Sequence, residues 1–245
     1  IDVVHEDMKY RFSQTKQISE RLTLEAARSL AANVAGSVDD NELRVVVFNP
    51  LTTPISATTE LDLQIPVDWP TFNEFFGYEP KPSFRIYGPG GEEIPYQRLR
   101  QIKNRIKGRI YETKFPVTYP THDVRVSLPL DIPASGYTTL TVRAGSEREP
   151  TRYPVAPGMA TSERSMENER LAVAIESNGS LTVRDKRTGA VYERQLTFED
   201  IADIGDGWYH GMAVNDQAFT STASTAAVSL VHDGPQLTTF YIRMV

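Results

Sequence analysis

The sequence predicts a mainly β protein: antiparallel β-sandwich domains preceded by one long N-terminal α-helix. Three observations predict it. Val4, Met8, Phe12, Thr15, Ile18, Leu22, Ala26 and Leu30 recur at three- or four-residue steps, with no Pro or Gly among them, which is the spacing of one helix face. From Leu43 onward, β-branched and aromatic runs alternate with turns rich in Gly, Pro and Asn, as in antiparallel sheets. Between residues 144 and 162, Pro150, Pro154 and Pro157 stand among charged residues, as in a linker. The chain therefore divides into 1–36, the terminal helix of a truncated helical-bundle domain; 37–150, a β-sandwich domain; and 151–245, the start of a second, larger β-sandwich domain.

The helix is expected over 1–35, with Gly36 as its C-terminal cap. So long a stripe must pack on something, and no second helix of similar length follows. Its partner helices are expected in polypeptide preceding Ile1, and both ends of the chain read as interior to a longer protein. LRVVVFNP, 43–50, is a continuous apolar run stopped by Asn49-Pro50, a central strand. In 60–65, Leu61, Leu63 and Ile65 alternate onto one face. Residues 66–82 form a long proline-rich loop whose Trp69, Phe72, Phe75, Phe76 and Tyr78 either pack against the sheet or form a stacking platform. Strands at 83–87, 94–99, 109–115, 124–128 and 137–142 complete the first series. In the second, Leu171, Val173 and Ile175 alternate toward a type I′ turn at Asn178-Gly179, and Leu181 and Val183 alternate back. A third strand follows the turn in 185–193, and 228–231 with 237–245 make a last hairpin.

Composition narrows the function. The 245 residues are 40% hydrophobic and 24% charged, with net charge −6, which is ordinary for a globular protein and argues against a nucleic-acid partner. Lys and Arg crowd in 97–109, either as an anion patch or as an exposed basic strand face. Cysteine is absent, so disulfides and thiolate metal sites are excluded. No apolar run approaches the roughly 20 residues of a membrane span, and no signal-peptide pattern appears. No membrane partner is expected, and the location is read as cytoplasmic. His5, His122, His210 and His232 lack HExxH or His-x-His spacing, no GxSxG occurs, and DIGDGW misses the D-x-D-x-D-G of a calcium loop. No catalytic residue, metal ligand or cofactor is assigned within the chain.

The functional candidate is the loop 198–219, FEDIADIGDGWYHGMAVNDQAF. Glycines permit tight turns there, and carboxylates beside aromatic rings suit a sugar: acids accept its hydroxyls and rings stack on its C–H faces. The structural alternative is an acidic turn whose aromatics belong to the core. Trp208, Tyr209 and His210 sit at the centre of the loop.

Four stretches, IDVVHEDM (1–8), RVVVFNPL (44–51), ASGYTTLTV (134–142) and MENERLAVAIESNGSLTVRDKRTG (166–189), resemble in order and spacing the family 38 glycoside hydrolases, the zinc-dependent retaining α-mannosidases. The loop FEDIADIGDGWYHG stands where that family carries an Asp-x-Gly-Asp-x-aromatic segment. Val3 departs from the family's usual Glu. The resemblance implies that the chain is the last bundle helix plus the first β domains. Its partners would be the missing N-terminal catalytic domain of the same polypeptide and an α-mannoside substrate. It also implies that zinc, the zinc ligands and the nucleophilic aspartate of the parent enzyme lie before Ile1. By the same resemblance the candidate sugar-contacting residues are Asp206, Trp208 and Tyr209: an aromatic at Trp208 or Tyr209 reaches the bound mannose, and Asp206 orders the loop. A free-standing carbohydrate-binding module and a purely structural spacer domain are the alternative readings.

Overall fold

The computed structural model describes residues 1–34, 36, 38–73, 80–111, 114–146 and 157–245. Helix α1 spans Asp2–Ala32 and ends earlier than expected, with Asn33 as its C-cap. Its end is tied to the first strand: Arg44 donates to the carbonyls of Gly36 at 2.9 Å and Val34 at 3.4 Å. Gly36 lies at φ +117°, where a Cβ would sit 2.6 Å from the Arg44 guanidinium, so only glycine fits. No side chain of α1 is buried. Ion pairs one turn apart, Arg11–Asp7 at 2.8 Å and Arg21–Glu25 at 2.5 Å, support it locally.

The first group of strands is β1 (Glu42–Asn49), β2 (Ile55–Ile65), β3 (Thr71–Phe72), β4 (Lys81–Pro82), β5 (Phe84–Tyr87), β6 (Gln97–Tyr111), β7 (Lys114–Ile132) and β8 (Gly136–Ala144). They form antiparallel sheets in the orders β1-β8-β5 and β2-β7-β6, with β3 paired to β4. Strict alternation builds the core between them. Val124, Val126, Leu128, Leu130 and Ile132 of β7 all point inward, against Phe84 and Ile86 of β5 and Leu140 and Val142 of β8. Each such side chain contributes about 1.5–3 kcal/mol by leaving water. Trp69 and Phe72 are buried, as the packing alternative for their loop expects; Phe75, Phe76 and Tyr78 lie outside the described residues. Tyr96 stacks on Phe84 with centroids 5.0 Å apart and donates its hydroxyl to the Phe84 carbonyl at 2.8 Å.

One expectation is corrected. The segments 94–99, 109–115 and 124–128 are not separate short strands: 97–99 and 109–111 belong to the long strand β6, and 114–115 and 124–128 to the long strand β7. Strand β2 pairs with β7 only as far as His122. Beyond that point β6 and β7 continue as a two-stranded arm, Arg105 opposite Thr121 and Arg109 opposite Val117.

The second group is a five-stranded sheet of β9 (Ala160–Ser162), β10 (Ser165–Glu167), β11 (Leu171–Ile175), β12 (Leu181–Asp185) and β13 (Val191–Gln195), in the order β13-β12-β11-β10-β9. Two short paired strands follow, β14 (Glu199–Asp200) and β15 (Phe219–Thr220), then the hairpin β16 (Ala226–His232) and β17 (Thr239–Met244). The β11–β12 connection is not a two-residue type I′ turn. The Gly179 N–H donates to the Glu176 carbonyl and only Gly179, at φ +89°, is left-handed. It is a type I turn followed by a glycine bulge. Arg164 joins sheet to hairpin by donating to the carbonyls of Glu176 at 3.1 Å and Ala226 at 2.8 Å.

The two groups meet at Gln97. Its Nε2 donates to the Leu237 carbonyl at 2.9 Å, and its Oε1 accepts the N–H of Leu237 at 3.0 Å and of Gln236 at 3.2 Å. Among the described residues no helix is long and apolar enough to cross a membrane.

Candidate functional site

The loop between β14 and β15 is a long hairpin held shut at its base and again near its tip. At the base, Phe198 and Ser221 are joined by two hydrogen bonds, the Ser221 Oγ accepting from the Phe198 N–H and the Phe198 carbonyl from the Ser221 N–H, both at 2.9 Å. Asp216 then caps the Ala202 N–H at 3.1 Å. Nearer the tip, Asp203 forms an isolated bridge with Met212, and the Ile204 N–H donates to the Gly211 carbonyl at 2.9 Å.

Asp203 is the organising side chain. Its Oδ1 accepts the N–H groups of Gly205 and Gly211, each at 2.8 Å, so one carboxylate oxygen clamps both sides of the turn. Its Oδ2 lies 3.4 Å from His210 Nδ1. The Gly211 amide, then the Gly205 amide, hold the Asp203 carboxyl below its ordinary value, partly offset by desolvation and aided by His210. Close approach explains the glycines: a Cβ on Gly205 would fall 2.1 Å from the Tyr209 carbonyl oxygen. Asp206 has a smaller task, accepting the Trp208 N–H at 2.9 Å in an Asx turn.

These restraints display the aromatics. Trp208 is 92% exposed and Tyr209 69% exposed, so neither belongs to the core, contrary to the structural alternative for this loop. The three predicted residues Asp206, Trp208 and Tyr209 share one tip. Asp206 orders only its neighbour there; the wider ordering falls to Asp203. The signal for its clamp was its place two residues before Gly205, the spacing of an aspartate that caps a following turn. The tip can lay an indole or phenol face against a sugar and offer the Tyr209 hydroxyl. It holds no general acid and base disposed about a bond. Among the described residues no three His, Asp or Glu side chains gather as a metal set, so these residues do not fit a zinc site.

Comparison with known proteins gives the class of fold first. No family model matches the chain. An α-mannosidase from Enterococcus faecalis V583 has the same fold over 100% of this chain, with TM-score 0.82 and 22% identity, and 28% of that protein is covered. A protein in the glycosyl hydrolase family 38 from Enterococcus faecalis matches over 100% of this chain and 29% of its own, with TM-score 0.75 and 22% identity. The fold is thus the one found in part of family 38 structures. A relative in sequence is a "Putative mannosylglycerate hydrolase" of Halalkalibacterium halodurans, 22% identical over 242 residues, which make up 95% of this chain. The chain spans about a quarter of that curated relative, 27% of its length.

Proposed function

We propose that this chain is the non-catalytic helix and β-sandwich portion of a zinc-dependent retaining α-mannosidase that hydrolyses terminal α-mannosides. The observation that carries the reading is a shared fold along the whole chain with 28% of an α-mannosidase. The name of the sequence relative points the same way, to a mannose joined to a small aglycone. In this reading the remaining polypeptide is the chain's main partner and supplies the nucleophile and the metal. Zinc would bind and orient sugar hydroxyls there. The residues of this chain brace that domain and close its pocket: Asp203 and Asp206 hold the tip, and Trp208 or Tyr209 packs on the mannose ring. The uncovered stripe of α1 supports a helical partner. The absence of cysteine fits the cytoplasm.

Kinetics of the longer polypeptide on aryl α-mannosides and mannosylglycerate test the reading. Trp208→Ala or Tyr209→Ala should lower kcat/KM at least about tenfold, a loss of about 1.4 kcal/mol of transition-state binding. The 245-residue chain alone should show no turnover and no tight zinc binding. Unchanged kinetics in both variants would make the chain a spacer. Saturable mannoside binding by the chain alone, seen in tryptophan fluorescence, would make it a binding module. Turnover by the chain alone overturns the reading.

A further inference from the structure

The mannosidase reading gives the β6–β7 arm no named role. Past the last β2 pair it is a bare ribbon; from Arg105 to Tyr111 at about 3.3 Å per residue it reaches about 20 Å. Its near face turns to its own sheet, where the Tyr119 hydroxyl donates to Gln64 at 3.1 Å. Its other face carries Ile106 and Ile110, and its end Phe115. Ile110 is 72% exposed and Phe115 91% exposed. Two-stranded ribbons are marginal in water, and adjoining exposed apolar residues mark a contact surface.

Charge says what covers it. From Gln97 to Tyr119 the sequence holds seven Lys and Arg and one acid, Glu112, a net +6. The whole chain carries −6, so the remainder carries −12. Between Arg194 and Arg243 there is no Lys or Arg at all, while Glu199 and Asp200 stand at the base of the β14–β15 loop. Within the arm, Arg105 and Lys107 share one carboxylate, Asp123, at 3.1 and 2.8 Å, and remain in excess. Two arms laid edge to edge would juxtapose cations and repel. A second copy offers the opposite sign.

We propose that the arm docks on a second copy of this chain, its cations and exposed Ile110 and Phe115 against the anionic flank at Glu199 and Asp200. A twofold axis makes the contact reciprocal, each arm reaching the other copy, which closes a dimer.

Sedimentation velocity on the chain across a hundredfold range of concentration tests it. A reversible dimer is expected, weakening about tenfold when salt rises from about 0.1 to about 1 M and the screening length falls from about 10 to about 3 Å. Ile110→Asp with Phe115→Ser should be monomeric with unchanged circular dichroism. Leu22→Asp, on the helix stripe, should leave association unchanged. Arg109→Glu should weaken it, and mixing that variant with Glu199→Lys/Asp200→Lys should restore it. A monomer throughout, a dimer indifferent to the arm variants, or no restoration on mixing overturns the proposal. The readout is association alone, so its failure leaves the mannosidase reading standing, and inactive tip variants leave the dimer standing.

Discussion

Gln97→Ala should cut the link between the two groups of strands. Gln97 is 4% exposed and makes three hydrogen bonds to the 236–237 backbone, between 2.9 and 3.2 Å. Truncation leaves two N–H groups and a carbonyl without that partner. At about 0.5–1.5 kcal/mol net per neutral bond, with part of the desolvation cost of orphaned groups added, the loss is about 2–4 kcal/mol. Urea unfolding read by tryptophan emission suits the question. Of the two tryptophans, Trp69 is 6% exposed and Trp208 is already in solvent, so the emission change reports the first group. With a slope of about 2 kcal/mol per molar urea, the midpoint should fall by about 1–2 M. Gly234→Ala should act on the same clamp, because its Cβ would meet the Gln97 side chain at 2.3 Å; the pair should then be strongly non-additive. A midpoint within about 0.2 M of the parent, or simple additivity, would refute the clamp and with it the idea that 37–150 steadies 151–245.

Three further outcomes follow from single sites. Phe84→Ala empties a fully buried site stacked on Tyr96 and should cost about 3–5 kcal/mol in the same urea experiment. Asp203→Ala should release the Gly205 and Gly211 amides, speeding their hydrogen exchange at least about tenfold. Because the pKa of the folded Asp203 carboxyl is depressed, its clamp is complete above the ordinary aspartate value of 3.8 and is lost as pH falls through the lower folded value. His122 is buried and its Nδ1 accepts the Asn104 N–H at 3.2 Å. Burial, then Lys103, pushes it below 6.5, so its contribution is present above 6.5 and lost as pH falls through the folded value. An imidazole titration by NMR with its midpoint at 6.5 or above would contradict this.

The two sequence periods were the legible part of the fold. The period-two burial of β7 and the helical stripe of α1 are written in residue order: α1 stands where its stripe put it except for the last turn, and the expected strand 124–128 falls within β7. The arm was harder to see. Pro116 and Pro120 broke the strand pattern, yet both fall beyond His122, where β2 no longer pairs and β7 has one open edge that tolerates a missing N–H. The basic run of β6 was legible only as an anion patch or an exposed strand face, because its alternation is between cations and isoleucines rather than between surface and core. At the loop, the aromatics were legible as residue types, and their exposure was not. It depends on Asp203 reaching Gly211, eight residues on, a contact no local propensity encodes. The Asn178-Gly179 signal named the right place and the wrong turn, since the ladder already closes at Ile175–Leu181 and leaves five residues to connect.

The helix carries the last prediction, because its legibility in sequence and its isolation in space conflict. A 31-residue helix with no buried side chain is held by its backbone and a few exposed ion pairs worth about 0.3–0.5 kcal/mol each. Only its last turns approach other structure: Thr23, Ala27 and Leu30 face Phe48 and Tyr137 across an open cleft of about 760 Å³. Stability should therefore fall toward the N-terminus. Amides near Met8 and Phe12 should exchange at nearly unprotected rates, while those from Ala26 to Leu30 should be markedly slower. Covering the stripe removes Phe12, Leu22 and Leu30 from water at about 1.5–3 kcal/mol each, more than the exposed ion pairs supply. In the longer polypeptide the gradient should flatten, with the first turns as protected as the last. A flat profile in the chain alone would mean that the stripe needs no partner. An unchanged gradient in the longer protein would mean that the helix is no part of a bundle.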